Sequence, residues 1–107
     1  MTSTQTTVDF IVEQMSDAGA VSAKKMFGEY GVFCDGRMVA IVGDDQLFLK
    51  PTAAGRAYLG VVEEVPPYPG AKTYFFISGE LWDDREWLSE LVRLTCAEIL
   101  LPKKKNK

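Results

Sequence analysis

The chain has no histidine, only two cysteines, and no apolar run near the roughly 20 residues that a membrane-spanning helix needs. Without histidine, Ser/His/Asp and Cys/His nucleophilic catalysis are excluded. The commonest general base and imidazole metal ligand is missing with it. The cysteines, Cys34 and Cys96, lie far apart and neither sits in a CxxC pair, so no disulfide framework is expected. They read as reduced, buried, small apolar residues. A zinc site would have to recruit distant carboxylates. The chain also lacks a GxxxxGK[ST] phosphate loop and a GxGxxG turn. Met1 to Thr7 is polar and uncharged, without the basic start and apolar core of a secretory signal, so a cytoplasmic chain is expected.

What is present is the balance of a folded domain. The 107 residues are 47% hydrophobic and 25% charged, which excludes disorder as the main state and fits one domain. The charge is unevenly placed. Of 12 Lys and Arg residues, four stand in the last six positions, as Lys103, Lys104, Lys105 and Lys107. Residues 1–101 are left with 8 basic against 15 acidic groups, a net charge of −7. Such a body repels phosphate, so nucleic-acid binding would have to come from the tail. Two readings of that tail stand: a weak, salt-sensitive, sequence-blind nucleic-acid contact, or a solvated end that complements the negative pole of the last helix. A single domain over 1–101 followed by a lysine-rich tail, 102–107, is expected.

Val8, Ile11, Val12 and Met15 share one helical face, which predicts a helix from about Thr7 to Ala18, capped by Thr6 and closed by Gly19. Strands follow at Lys24 to Phe27, Tyr30 to Cys34, Arg37 to Val42 and Gln46 to Lys50. Asp35-Gly36 is a strong hairpin signal, because both turn positions need positive φ. Gly43-Asp44-Asp45 forms the next turn. The strand at 37–42 has apolar side chains for both faces, so it is expected inside the meander. A short helix, about Thr52 to Leu59, is closed by Gly60. Val61 to Gly70 carries Pro66, Pro67 and Pro69 and reads as a stiff loop, without the PxxP spacing of an SH3 ligand. Thr73 to Ile77 returns to strand. The last helix starts at Asp83, with Asp83 and Glu86 as a capping pair. Its apolar stripe, Trp87, Leu88, Leu91, Val92, Thr95 and Ile99, is widened by Leu94, Cys96 and Leu100. One sheet face cannot cover it, so it must also meet another helix or a second subunit.

No arrangement of catalytic, cofactor-binding or metal-binding residues emerges. Glu80, Asp83, Asp84 and Glu86 are the densest carboxylate group, but acids at a helix N-terminus stabilise it by roughly 0.3–1 kcal/mol each, which explains them. Trp87 lies on the apolar stripe. Trp82, just outside the helix, either packs as a staple or stays exposed as an interface anchor.

The run Lys25-Met26-Phe27-Gly28-Glu29-Tyr30-Gly31-Val32-Phe33, then Asp35-Gly36-Arg37-Met38 and Leu47-Phe48-Leu49-Lys50, resembles the N-terminal domain of the TfoX/Sxy family, bacterial regulators of natural competence. Lys72-Thr73-Tyr74-Phe75-Phe76 followed by an acidic helix start is similar as well. The likeness extends from about Val8 to Ile99. Glu29 stands where the family usually has a second glycine, and Val39 where it has an aromatic. Full-length regulators of this kind continue into a helical C-terminal domain, so the resemblance implies a stand-alone N-terminal domain. It also implies an α+β fold in two layers: an antiparallel sheet with N-terminal, middle and C-terminal helices, similar to small acidic secretion chaperones.

The resemblance implies a non-enzymatic regulatory or adaptor domain that works by protein–protein contact with the transcription machinery. An acidic body suits basic partner surfaces. The contact is expected on the sheet edge or near Gly28 to Gly31, with Met26, Tyr30 and Trp82 as anchors; core packing is the competing role for Met26 and Tyr30. Two alternatives are nucleic-acid binding through Lys103, Lys104, Lys105 and Lys107, and a chaperone-like homodimer holding a client segment.

Overall fold

The structure, a computed structural model, describes residues 4–26 and 29–100 of the chain. Helix α1 (Gln5–Met15) leads into strands β1 (Val21–Met26), β2 (Glu29–Cys34), β3 (Arg37–Gly43) and β4 (Gln46–Leu49). Helix α2 (Ala53–Leu59), strands β5 (Glu64–Val65) and β6 (Tyr74–Ile77), and helix α3 (Arg85–Leu100) complete it. The six strands form one sheet in the order β1-β2-β3-β4-β6-β5, with every neighbouring pair antiparallel. This is the expected α+β fold, and β3 lies inside the sheet as anticipated.

Local chemistry explains the elements. Thr4, rather than Thr6, caps α1: its hydroxyl accepts the Thr7 N–H at 3.2 Å. The hairpin at Asp35 (φ 52°) and Gly36 (φ 83°) takes both positive angles that its sequence requires. Asp44 and Asp45, at φ 53° and 59°, make the β3–β4 turn without a glycine at either centre. The short left-handed residues are again aspartates, whose side chains tolerate that region.

Helix α1 starts at Gln5 and ends at Met15, with a 3-10 turn over Ser16–Ala18 in place of the expected last α-turn, and other boundaries differ from the sequence reading too. Strand β1 begins at Val21, not Lys24, because Val21 to Met26 pairs along the whole of β2. Its start is pinned by Asp35, whose carboxylate accepts the Ala20 N–H at 3.0 Å. A 3-10 turn, Gly79–Asp83, precedes α3, so the capping acid is Asp84, which accepts the Trp87 N–H at 3.1 Å. The proline-containing loop also contains the two-residue β5, paired to β6 through Glu64↔Phe75 and Val65↔Tyr74.

One sheet face packs against the helices. Val8, Ile11 and Met15 of α1, with Leu88, Leu91 and Val92 of α3, close over Val32, Val42, Leu47, Leu49, Phe75 and Ile77. These side chains are essentially removed from water, so cutting any one of the leucines to alanine costs roughly 2–5 kcal/mol. The broad stripe of α3 is covered within the chain, by α1 and the sheet on one side and by α2 on the other. Tyr58 of α2 stacks obliquely on Trp87, ring centroids 5.5 Å apart, and donates its hydroxyl to the Trp87 carbonyl at 3.1 Å. Glu98 of α3 accepts the Ala53 and Ala54 N–H groups at 3.0 and 2.9 Å, so one helix caps the other.

Candidate contact site on the open face of the sheet

Among the described residues no helix lies over the opposite face of the sheet, and its centre is apolar. Strand register sets its composition, because directly paired residues point to the same side. Gly31 pairs with Ile41, Ile41 with Phe48, and Phe48 with Phe76, which draws one row across four strands. Phe33 and Met38 pair beside it. Phe48 and Phe76 meet with ring centroids 5.9 Å apart. Lys24, at the outer edge, lies 5.7 Å from the centre of the Phe33 ring, capping that end with a cation.

The segment after β5 folds back over this face. Pro67 and Tyr68 join Met26, Glu29, Met38, Ile41, Gly43 and Tyr74 around a cavity of about 450 Å³. A shallower depression on the far side of Pro66 and Pro67 is lined by Asp44, Glu63, Phe48 and Phe76. Tyr68 stands 51% exposed at the rim. The lining is two methionines, an isoleucine, a proline and three tyrosines; Glu29 supplies the charge among the described lining residues. Burial, and then neighbouring Tyr68, push the Tyr74 phenol above its ordinary value, so it stays a neutral donor at physiological pH.

Gly31 makes the methionine wall. A Cβ there would stand 2.5 Å from the Met26 sulfur and 3.3 Å from the Met38 sulfur. Both thioethers therefore lie over its bare backbone. At Gly43 the situation differs. The three atoms nearest its Cβ position are two Glu29 carbons and the Pro67 carbonyl oxygen, the closest at 3.8 Å.

Of the anchors read from sequence, Met26 and Tyr30 both border the cavity. The Tyr30 side chain turns the other way: it is 9% exposed and donates its hydroxyl to Gln5 Oε1 of α1 at 3.2 Å. Trp82 is elsewhere. Its indole donates to the Ile77 carbonyl at 3.0 Å and its own carbonyl accepts from Gln14 at 2.7 Å, on the helix side of the sheet's end. The three do not share one surface. Gly28, part of the expected contact region, and the lysines of the tail lie outside the described residues. Met38, Tyr68 and Tyr74 were not foreseen. Strict alternation would put Met38 on the buried side with Ala40 and Val42; the register shift opposite Val32/Phe33 turns it to the open face, and nothing local pointed to that or to the fold-back of Tyr68.

The two cysteines come together in the core. Cys34 Sγ, Cys96 Sγ and an Asp35 carboxylate oxygen lie within 4.8 Å of one another, and Cys96 donates to the Cys34 carbonyl at 3.3 Å. This is the spacing of metal ligands, but the chemistry leans the other way. Burial, followed by Cys96, pushes the Cys34 thiol up to about 12, so a thiolate is disfavoured there. Asp35 is engaged at Ala20. The pair behaves as packing.

Residues 13–99 match the TfoX N-terminal domain. An uncharacterized 12.7 kDa protein from the trpE 5′ region of Spirochaeta aurantia is 35% identical over 94 residues, covering 88% of this chain and 81% of the relative. Among the described residues no helix is long and apolar enough to cross a membrane. With its antiparallel sheet, flanking helices and a match over most of its length, the chain belongs to the TfoX N-terminal domain family, a regulatory type of domain.

Proposed function

We propose that this chain is a non-enzymatic regulatory or adaptor domain that binds a protein partner of the transcription machinery with the open face of its sheet. The observation that carries this reading is the half-buried apolar row Phe33, Met38, Ile41 and Phe76, with buried Phe48 among them and the cavity under Pro67 and Tyr68 beside it. A contiguous apolar face without a helix over it is the kind of surface that protein interfaces use. Methionine walls suit it, because an unbranched thioether reshapes to its partner at little cost. The acidic body favours basic protein surfaces over phosphate. Neither the cavity nor the cysteine pair offers a nucleophile with an adjacent base, so the reading contains no chemical step.

The test uses purified RNA polymerase and purified cAMP receptor protein, each passed over the immobilised chain. Met38→Lys places a charge on the half-buried open face without touching the core. The expected result is measurable binding by the wild type and at least about tenfold weaker binding by the variant, the scale of a lost interface anchor. Equal binding by a folded Met38→Lys variant removes the open face as the contact. No binding to either protein removes this partner class.

A further inference from the structure

The two edges of the sheet are built differently. On one side β5 is two residues long and runs into Pro66 and Pro67, which cannot extend a ladder. On the other side lies β1, six residues long and without proline. Among the described residues no strand pairs with its outer edge. Its register with β2 is unbroken from Val21↔Cys34 to Met26↔Glu29; the irregularity in this part of the sheet falls between β2 and β3. Neither a bulge nor shortness closes this edge.

One contact sets the phase of its backbone. The Ala20 carbonyl accepts the Asp35 N–H at 2.9 Å, one residue before the strand begins. In an antiparallel ladder every second residue turns both N–H and C=O toward its neighbour. Ser22, Lys24 and Met26 therefore bond toward β2, while Val21, Ala23 and Lys25 present theirs outward. Such a row is a template for another strand.

The side chains decide which strand. Residues 18–26 hold two lysines and no acid, in a body of net charge −7. Lys24 and Lys25 are both exposed and point to opposite faces. Lys24 lies beside the Phe33 ring on the open face, and Lys25 stands on the helix side with its pairing partner Tyr30. Neither forms an ion pair among the described residues. A second copy of this edge would bring four lysines into one short ladder, which like-charge repulsion opposes. Two successive acids on an incoming strand would instead meet one lysine on each face, because neighbouring side chains alternate.

We infer that the outer edge of β1 takes up an extended segment of a second protein carrying two successive acidic residues, and adds it as a further strand beside Val21–Met26. This goes beyond the open-face contact and is a separate surface, so either can fail while the other stands.

The experiment titrates the 15N-labelled full chain with a capped hexapeptide, Thr-Val-Glu-Glu-Val-Thr, and with its Gln-Gln counterpart, followed by NMR. In the free chain the Val21, Ala23 and Lys25 amides are expected to exchange with water much faster than those of Ser22 and Lys24. The acidic peptide should shift those three amides saturably. It should bind about fivefold more tightly than the Gln-Gln peptide, the scale of two exposed ion pairs, and the preference should shrink as salt is raised. N-methylating one alternate set of peptide residues should abolish binding, and methylating the other set should not, since only one set faces β1. Ala23→Pro removes an outward N–H where an edge tolerates proline, and should abolish binding in a chain that circular dichroism shows to be folded. Slow exchange of all three amides in the free chain, or no shift of them by the peptide, overturns the proposal. Equal affinity for the two peptides, or binding indifferent to both methylation patterns, overturns it as well.

Discussion

Met26 lies across Gly31, with its sulfur 2.5 Å from where a Gly31 Cβ would be. The glycine is therefore what lets an edge-strand methionine reach over the second strand and form the cavity wall. Gly31→Ala must push that thioether aside. Because the obstacle is the far end of a flexible side chain, the stability cost should be small, about 1 kcal/mol or less, and partly offset by the stiffer unfolded chain. Thermal melting should barely change, while the Met26 methyl resonance moves and partner binding weakens. A large drop in melting temperature would mean that the thioether has no room to yield.

The opposite outcome is expected at Gly55. A Cβ there would stand 2.8 Å from Thr52 Oγ1, the hydroxyl that caps α2 by accepting the Gly55 N–H at 2.9 Å. Thr52→Ala alone should cost about 0.5–2 kcal/mol, the usual value of an N-cap. Gly55→Ala gains up to about 1 kcal/mol of helix propensity but displaces the cap, so it should not stabilise the wild type. In the Thr52→Ala background the clash is gone, and the same substitution should stabilise. Denaturant unfolding of the four chains checks this reversal; identical effects in both backgrounds would contradict it.

Acid sensitivity should centre on Glu98. Its carboxyl is held below the usual range by the Ala54 N–H and then the Ala53 N–H. A depressed carboxylate contributes stability that is present above its unfolded pKa and lost as the pH falls through its folded one. Glu98→Gln should therefore be less stable than wild type near neutrality, and the gap should close as the pH drops through and below the carboxylate range. Unfolding curves at several pH values measure it. A gap that is constant with pH would assign the loss to packing.

The lysine tail carries a separate expectation. Duplex DNA should bind the full chain weakly at low salt, and a version ending at Leu101 should not bind, since the rest of the chain carries −7. Fluorescence anisotropy at two salt concentrations reads both. DNA binding that survives truncation would place a phosphate site on the acidic body.

Much of this fold was legible along the chain because its signals are local. Asp35-Gly36 specified a tight hairpin, the apolar side chains for both faces of 37–42 specified a strand between two others, and the α3 stripe specified a helix covered on more than one side. The errors fall where distant residues decide. Strand β1 extends to Val21 because Cys34 and Phe33 pair with Val21 and Ser22, a partnership that no local pattern in 21–24 announces. Glu64 and Val65 become a strand only because β6 passes beside them. The cavity is legible only in part. Met26 sits in a motif-rich segment, but Pro67 and Tyr68 reach it by folding back over the sheet, and no spacing announces that. Trp82, a natural anchor by composition, is instead bonded to Ile77 and Gln14.

The most direct measurement is peroxide footprinting of the methionines, read by mass spectrometry, with and without the purified transcription partner that binds. Met26 and Met38 are half-buried on the open face, and Met15 is fully buried in the core. Partner binding should slow oxidation of Met26 and Met38 and leave the already slow Met15 unchanged. Unaltered oxidation of Met26 and Met38 in a saturated complex would contradict it, because the partner would then be held by another surface.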